Sequence, residues 1–206
     1  IGMVGDKSMG ISSVKLCFDA NYRRSLLKPL YKGGYLPLRL PENEKMALFN
    51  NSLSTLQNAT RIDFKTTMVD GYLVKSDRAS MLHALELRAP FLDYKLIEFA
   101  FGRVPDFLRA TSNARKILLR KLGEKILPPD LDKTRKQGFT LPLDSWFKGE
   151  WGDFFENVLA GVDTDVFDKK MIDNLITLQR RGYKNSNRLF SLVVFELWRR
   201  EYNITL

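Results

Sequence analysis

Residues 76–102 read SDRASMLHALELRAPFLDYKLIEFAFG, and the proline inside this stretch decides how it folds. Before Pro90, Met81, Leu82 and Leu85 recur at helical spacing, with Ser76 or Asp77 placed to act as N-cap. A proline disfavours helix at the residue before it, which predicts that this helix stops near Arg88. After Pro90, Asp93 is placed to cap a second helix with the apolar stripe Leu96, Ile97, Ala100, Phe101 and Val104. The pattern is helix, corner, helix. Glu86, Arg88 and Asp93 lie within the otherwise apolar corner. An ion taken out of water costs several kcal/mol unless it is paired. Arg88 is therefore expected to partner a buried carboxylate, and Glu86 has a lesser chance of facing a cleft. Asp77 and Arg78 either line a cleft or cap a helix, the second being favoured.

Outward from this corner the chain reads as helical throughout. DANYRRSLLKPLY predicts a short helix around residues 19–28. From Pro41, acids in the first turn and the apolar positions Met46, Phe49, Leu53 and Leu56 predict one amphipathic helix. SNARKILLRKLGEKIL, residues 112–127, predicts another, ended by Pro128 and Pro129. DKTRKQGFTLPLDSWFKG, residues 132–149, reads as a loop leading into a short helix, with Trp146 and Phe147 on its packed face. Two helices close the chain, over roughly 168–181 and 187–202. The last has Leu189, Phe190, Val193, Val194, Leu197 and Trp198 as core positions, and Arg199 and Arg200 near its negative end. No alternating strand pattern, repeat or low-complexity tract interrupts this. The fold class is all-α.

Composition narrows the chemistry. The 206 residues are 44% hydrophobic and 28% charged, as in a soluble globular protein. No apolar run approaches the roughly 18 residues of a membrane span. The start, IGMVGDKSMGISS, has neither the basic region nor the sustained apolar region of a secretory signal. It begins with Ile, so the chain is expected to be a piece of something longer. Cys17 is the only cysteine and His83 the only histidine. That excludes an internal disulfide, argues against a cysteine–histidine nucleophile or a zinc site, and makes a reducing cytoplasm the expected setting. No metal ligand set is expected. Carboxylates and lysines remain.

Positive charge is concentrated. The chain carries +9 overall, and residues 109–136 hold nine basic residues against three acids, a surplus of six. Such a field suits an anionic ligand, either nucleotide phosphates or a nucleic-acid backbone. Two lysines stand out within it. Lys116 lies near a helix start, where anions are favoured. Lys136 sits in TRKQGF beside Gly138, where the backbone can approach a ligand closely.

Three pieces in order, YLVKSDRASMLHALELRAPFLDYKLIEFA, ARKILLRKLGEKILPP and TRKQGFTLPLDSWFKG, resemble the C-terminal part of the synthetase domain of glutamine-hydrolysing asparagine synthetases. The superfamily also includes β-lactam synthetase. The likeness is strong over roughly residues 70–150 and weaker on either side. It implies the helical C-terminal half of an α/β, adenine-nucleotide α-hydrolase-like domain of the PP-loop ATP pyrophosphatase type. It implies an ATP- and Mg2+-dependent ligase that adenylates the aspartate side chain, releases pyrophosphate, and transfers ammonia from glutamine to give asparagine.

On that likeness the family's two phosphate-binding lysines fall on Lys116 and Lys136. Lys136 is credited with stabilising charge during adenylation. Arg135 and Gly138 flank it at the phosphate site. The family's SGGxDS and SGEGxDE motifs are absent, as is its N-terminal glutaminase cysteine. Residues 1–206 are therefore expected to lack the nucleotide-binding half and the glutaminase domain, to hold no Mg2+ ligands, and to be inactive alone. The position matching the β-lactam synthetase glutamate is Arg78, which disfavours that chemistry. Aspartate, ATP, glutamine and the missing N-terminal domains are the expected partners, and a homodimer is left open. The alternatives are an amidotransferase acting on a sugar or peptide carboxylate, a non-catalytic interaction domain, and a basic helical nucleic-acid-binding module. No known DNA- or RNA-binding motif supports the last.

Overall fold

A computed structural model describes residues 17–28, 40–132 and 141–205. Among them the regular structure is helical, with only the isolated bridges Leu27–Phe167 and Ala110–Arg115 outside it. The chain divides into two compact units, one formed by residues 1–46 and 139–206, the other by residues 47–138.

The first unit holds helices α1 (Ala20–Leu26) and α2 (Leu40–Ala47), the latter running to the unit's boundary. It also holds α8 (Leu143–Lys148), α9 (Gly152–Ala160), α10 (Lys169–Arg180) and α11 (Ser186–Glu201). Asp19 caps α1 and Asp168 caps α10, each carboxylate accepting from two backbone N–H groups of the first turn. The core is built from one face of each long helix. It includes Phe155, Val158 and Leu159 of α9, Ile172 and Leu175 of α10, and Leu189, Leu192 and Val193 of α11. Trp146 and Phe147 pack against it, as their spacing predicts. Val194, Leu197 and Trp198, expected in the core, are exposed instead. One 16-residue helix meets the core along a single stripe, and these three lie outside it.

Arg199 and Arg200 have more specific work than complementing a helix dipole. Glu196 is 0% exposed. It accepts from Arg199 Nε at 2.9 Å and Arg199 Nη2 at 3.0 Å, and from Arg200 Nε at 2.6 Å. Burial pushes the Glu196 carboxyl up, but the hydrogen bonds and charges of the two guanidiniums outweigh it and hold the group below its ordinary value. A second polar group, Asp144 of α8, is also held down, first by a hydrogen bond to Ser186 and then by one to Gln179.

The second unit departs most from its expected boundaries. The helix predicted through Met46, Phe49, Leu53 and Leu56 is broken: α2 ends at Ala47, and α3 (Thr55–Asp63) starts afresh. The break is made by polar side chains. Ser54 caps α3 in a reciprocal box with Gln57. The fully buried Asn58 amide reaches the carbonyls of Asn50, Leu53 and Ser54, while its oxygen accepts from Asn50 N at 2.8 Å. Past Asp63 the helix does not stop. It widens into a ten-residue π-helix (Phe64–Leu73) and continues as α4 (Val74–Met81). Neither Ser76 nor Asp77 is an N-cap, because the helix is already running through them.

The helix also ends earlier than Pro90 requires. It terminates at Met81, and Ala84 has φ of 52°. Residues 85–89 carry no regular structure, and Pro90–Leu92 forms a single 3-10 turn. Asp93 then caps α5 (Tyr94–Gly102) as expected, accepting from Lys95 N at 2.9 Å and Leu96 N at 3.3 Å. A one-turn helix α6 (Asp106–Arg109) and α7 (Ile117–Ile126) complete the unit.

Candidate functional site

Lys116 is the sequence-predicted site residue whose surroundings the structure defines most fully. It stands at the N-cap of α7 with φ of 56° and ψ of 39°, the left-handed region. Side chains with a Cβ meet steric resistance there, so lysine is an unusual occupant. The ammonium is exposed and makes no hydrogen bond or ion pair among the described residues. A single-turn reversal over Thr111–Ala114 delivers the chain to it, and Arg120 N donates to Lys116 O at 2.9 Å as α7 begins.

Lys116 lies on the wall of a cavity of about 420 Å³ in the same unit. Its other walls are mainly apolar, with Phe64 and Met68 from the π-helix, Ile97 and Phe101 from α5, and Leu118 and Leu119 from α7. Arg109 lines it too, but its guanidinium is already committed. Nε donates to Val104 O at 2.9 Å, and Nη2 donates to Ala100 O at 2.8 Å and Phe101 O at 3.0 Å. Arg109 therefore closes the carbonyl end of α5 with three of its five N–H groups. A wall of aliphatic and aromatic carbon with one free ammonium does not by itself enclose a triphosphate.

The remaining candidates fall elsewhere. Asp77 and Arg78 are exposed on α4 and do not line the cavity. Glu86 and Arg88 pair with each other, with side chains 70% and 86% exposed. Arg88 thus partners a solvated carboxylate and not a buried one, because the helix ends seven residues before it and leaves the whole segment in water. Such a pair contributes at most about 1 kcal/mol. Lys136, Arg135 and Gly138 lie outside the described residues. Among the described residues no group of three or more His, Cys, Asp or Glu side chains is arranged to hold a metal ion. The described residues do not fit the Mg2+ implied by the resemblance. Nor is any described helix long and apolar enough to cross a membrane.

Sequence reasoning missed two features at this site: the left-handed backbone of Lys116 and the capping role of Arg109. TSNA before RK is a turn-forming run, and that was the available signal.

The family model for asparagine synthase matches residues 19–200. The chain belongs to the asparagine synthase family. Among known family members, it is 30% identical over 153 residues to a glutamine-hydrolyzing asparagine synthetase of Bacillus subtilis, an alignment covering 72% of this chain and 24% of that protein. It is 31% identical over 142 residues to a putative glutamine-hydrolyzing asparagine synthetase of Mycobacterium tuberculosis, covering 66% of this chain and 21% of that one. The mouse asparagine synthetase aligns over a shorter stretch, 33% identical over 82 residues. The chain thus spans about a quarter of the length of the bacterial relatives it matches. No solved structure matches it significantly.

Proposed function

We infer that this chain is the helical part of an ATP-dependent, amide-forming ligase of the asparagine synthase family. The family match over residues 19–200 carries this reading. Aspartate as acceptor and glutamine as nitrogen donor fit the bacterial relatives' names, which read asparagine synthetase and glutamine-hydrolyzing. A carboxylate oxygen attacks the α-phosphorus of ATP and pyrophosphate leaves. Ammonia then attacks the acyl carbon, and AMP leaves with the electron pair of the broken carbon–oxygen bond.

The roles of this chain's residues follow from their chemistry. Lys116 presents a free ammonium to phosphate oxygens from a backbone position that lysine rarely occupies. Lys136 supplies a second ammonium that offsets charge building up on the phosphates as the carboxylate attacks, with Arg135 and Gly138 beside it. Two lysines twenty residues apart in a run with a surplus of six positive charges suit this task.

The second unit exposes an unusual number of large apolar side chains, among them Leu82, Leu85, Leu87, Phe91, Tyr94, Phe99 and Phe107. An apolar surface of that extent is uncommon on an isolated domain. It supports the reading that a further layer of the same enzyme, the nucleotide-binding half, covers this unit.

The test is Lys136→Ala in the full-length enzyme. The expected result is loss of aspartate-dependent ATP–pyrophosphate exchange with glutaminase activity retained. Wild-type exchange in that variant rules out the role given to Lys136.

A further inference from the structure

Nothing within the described structure rewards a lysine in the left-handed region at position 116, since its ammonium has no partner there. A backbone of this kind persists only where its surroundings determine it. Those surroundings can be traced. Upstream, Arg109 anchors α6 to the end of α5, and Ala110 N donates to Asp106 O at 3.0 Å. Downstream, α7 begins at Ile117. Between these fixed ends the chain reverses in one turn. Thr111 N donates to Ala114 O at 2.8 Å. The Thr111 hydroxyl accepts from Ala114 N at 3.1 Å and from Asn113 N at 3.4 Å. Ala110 and Arg115 then face each other in an antiparallel bridge. Lys116 follows directly, and its left-handed twist is what turns the extended chain into α7.

We propose that Thr111 is a positioning residue for Lys116: its hydroxyl closes the turn that fixes where and in which direction the Lys116 ammonium leaves the backbone toward the substrate's phosphates. This rests on the phosphate-binding reading of Lys116 given above. Thr111 is exposed, and among the described residues its hydroxyl bonds only within the turn. Removing that hydroxyl therefore disturbs the approach to Lys116 and leaves the core untouched. Serine keeps the oxygen and should keep the function.

The test compares Thr111→Val, Thr111→Ala and Thr111→Ser with Lys116→Ala, and with the Thr111→Ala/Lys116→Ala double variant, in the full-length enzyme. The expected loss in ATP–pyrophosphate exchange is up to roughly a hundredfold for Val and Ala, the scale of a catalytic contact misplaced by about 1 Å, with Ser close to wild type. The double variant should be no slower than Lys116→Ala alone, because a group that acts through the ammonium has nothing to act on once it is gone. Trypsin, which cuts after Arg115 and Lys116, should cut there faster in the Val and Ala variants and at the normal rate in Ser. Thr111→Ala avoids the branched side chain if Thr111→Val does not fold. Losses that add in the double variant overturn the proposal. Unchanged exchange in the Thr111 variants beside a loss in Lys116→Ala overturns this proposal alone. Wild-type exchange in Lys116→Ala overturns the phosphate reading and this proposal with it.

Discussion

Glu196 and Arg200 are one helical turn apart, and their 2.6 Å contact aims the far end of Arg200 at a different helix. The same guanidinium donates through Nη2 to Val158 O at 3.0 Å, in the last turn of α9, a carbonyl that also accepts from Gly161 N at 3.2 Å. A buried carboxylate in α11 thus finishes α9 by way of an arginine. Arg199 completes the cage by bonding both oxygens of Glu196 and, more weakly, Ile204 O at 3.3 Å. Gly161 leaves the necessary space, for a Cβ there would lie 2.5 Å from Arg200 Nη2.

Glu196→Ala should therefore cost about 1–3 kcal/mol, less than breaking a fully buried pair, because the Arg199 and Arg200 side chains left behind are 20% and 43% exposed. Urea denaturation measures it. The sign of the pH dependence follows from the lowered Glu196 carboxyl. Its contribution is fully present above the unfolded carboxyl value, about 4.3, and is lost as pH falls through the lower folded value. Wild-type stability should fall on acidification below about pH 5, and the Glu196→Gln variant should show a shallower acid limb. An unchanged limb would remove Glu196 from the account of acid unfolding.

Regular amphipathic segments were legible in the sequence and polar punctuation much less so. The two closing helices were expected at 168–181 and 187–202 and are found at Lys169–Arg180 and Ser186–Glu201, because each has one long apolar stripe. The Asp93 cap was legible for a similar reason, since a proline corner followed by an acid and an apolar stripe has few other solutions. The break between α2 and α3 was not, because the apolar spacing runs straight across it. Only the bonds of Ser54 and Asn58 show where the helix restarts. The π-helix escaped periodicity for a related reason: its wider turn shifts every later residue around the axis, so a 3.6-residue template loses register. α9 was overlooked altogether, since Gly149 before it and Gly152 at its first position are poor helix-start signals. Charge concentration pointed to Lys116 and equally counted Arg109, which bonds three backbone carbonyls.

Asn58→Ala should destabilise the second unit by about 1–2 kcal/mol, because Asn50 N and Leu53 O lose their partner in a part-buried turn while Asn50 O and Ser54 O keep Leu53 N and Asn58 N. Asn58→Asp tests the donor role separately. The carboxylate still accepts from Asn50 N but faces three carbonyl oxygens, and it should be at least as damaging. Thermal unfolding of both variants measures this. A loss under about 0.5 kcal/mol, the range of an ordinary surface change, would mean that water replaces the amide.

Ser54→Ala removes the hydroxyl that accepts from Gln57 N at 3.1 Å and that also bonds Asp106. The cap alone is worth about 1 kcal/mol. Among the described residues the other oxygen of Asp106 is buried with no partner, so losing Ser54 leaves that carboxylate worse satisfied. The expected loss therefore exceeds that of a simple cap, and Asp106→Asn should recover part of it in the double variant. Simple additivity of the two changes would break the link between them.

Lys116→Gly separates backbone from side chain at the candidate site. A left-handed residue with a Cβ costs about 1–2 kcal/mol, and glycine removes that cost. Against this stands glycine's greater freedom in the unfolded chain, about 0.5–1 kcal/mol. The two nearly cancel, so Lys116→Gly should leave the melting temperature unchanged or slightly raised. Lys116→Val, with a branched Cβ in the same conformation, should clearly lower it. If the lysine is present for its ammonium, both variants should lose ATP–pyrophosphate exchange in the full-length enzyme despite opposite effects on stability. Exchange that instead tracked the melting temperature would make position 116 a structural hinge and leave phosphate binding to other residues.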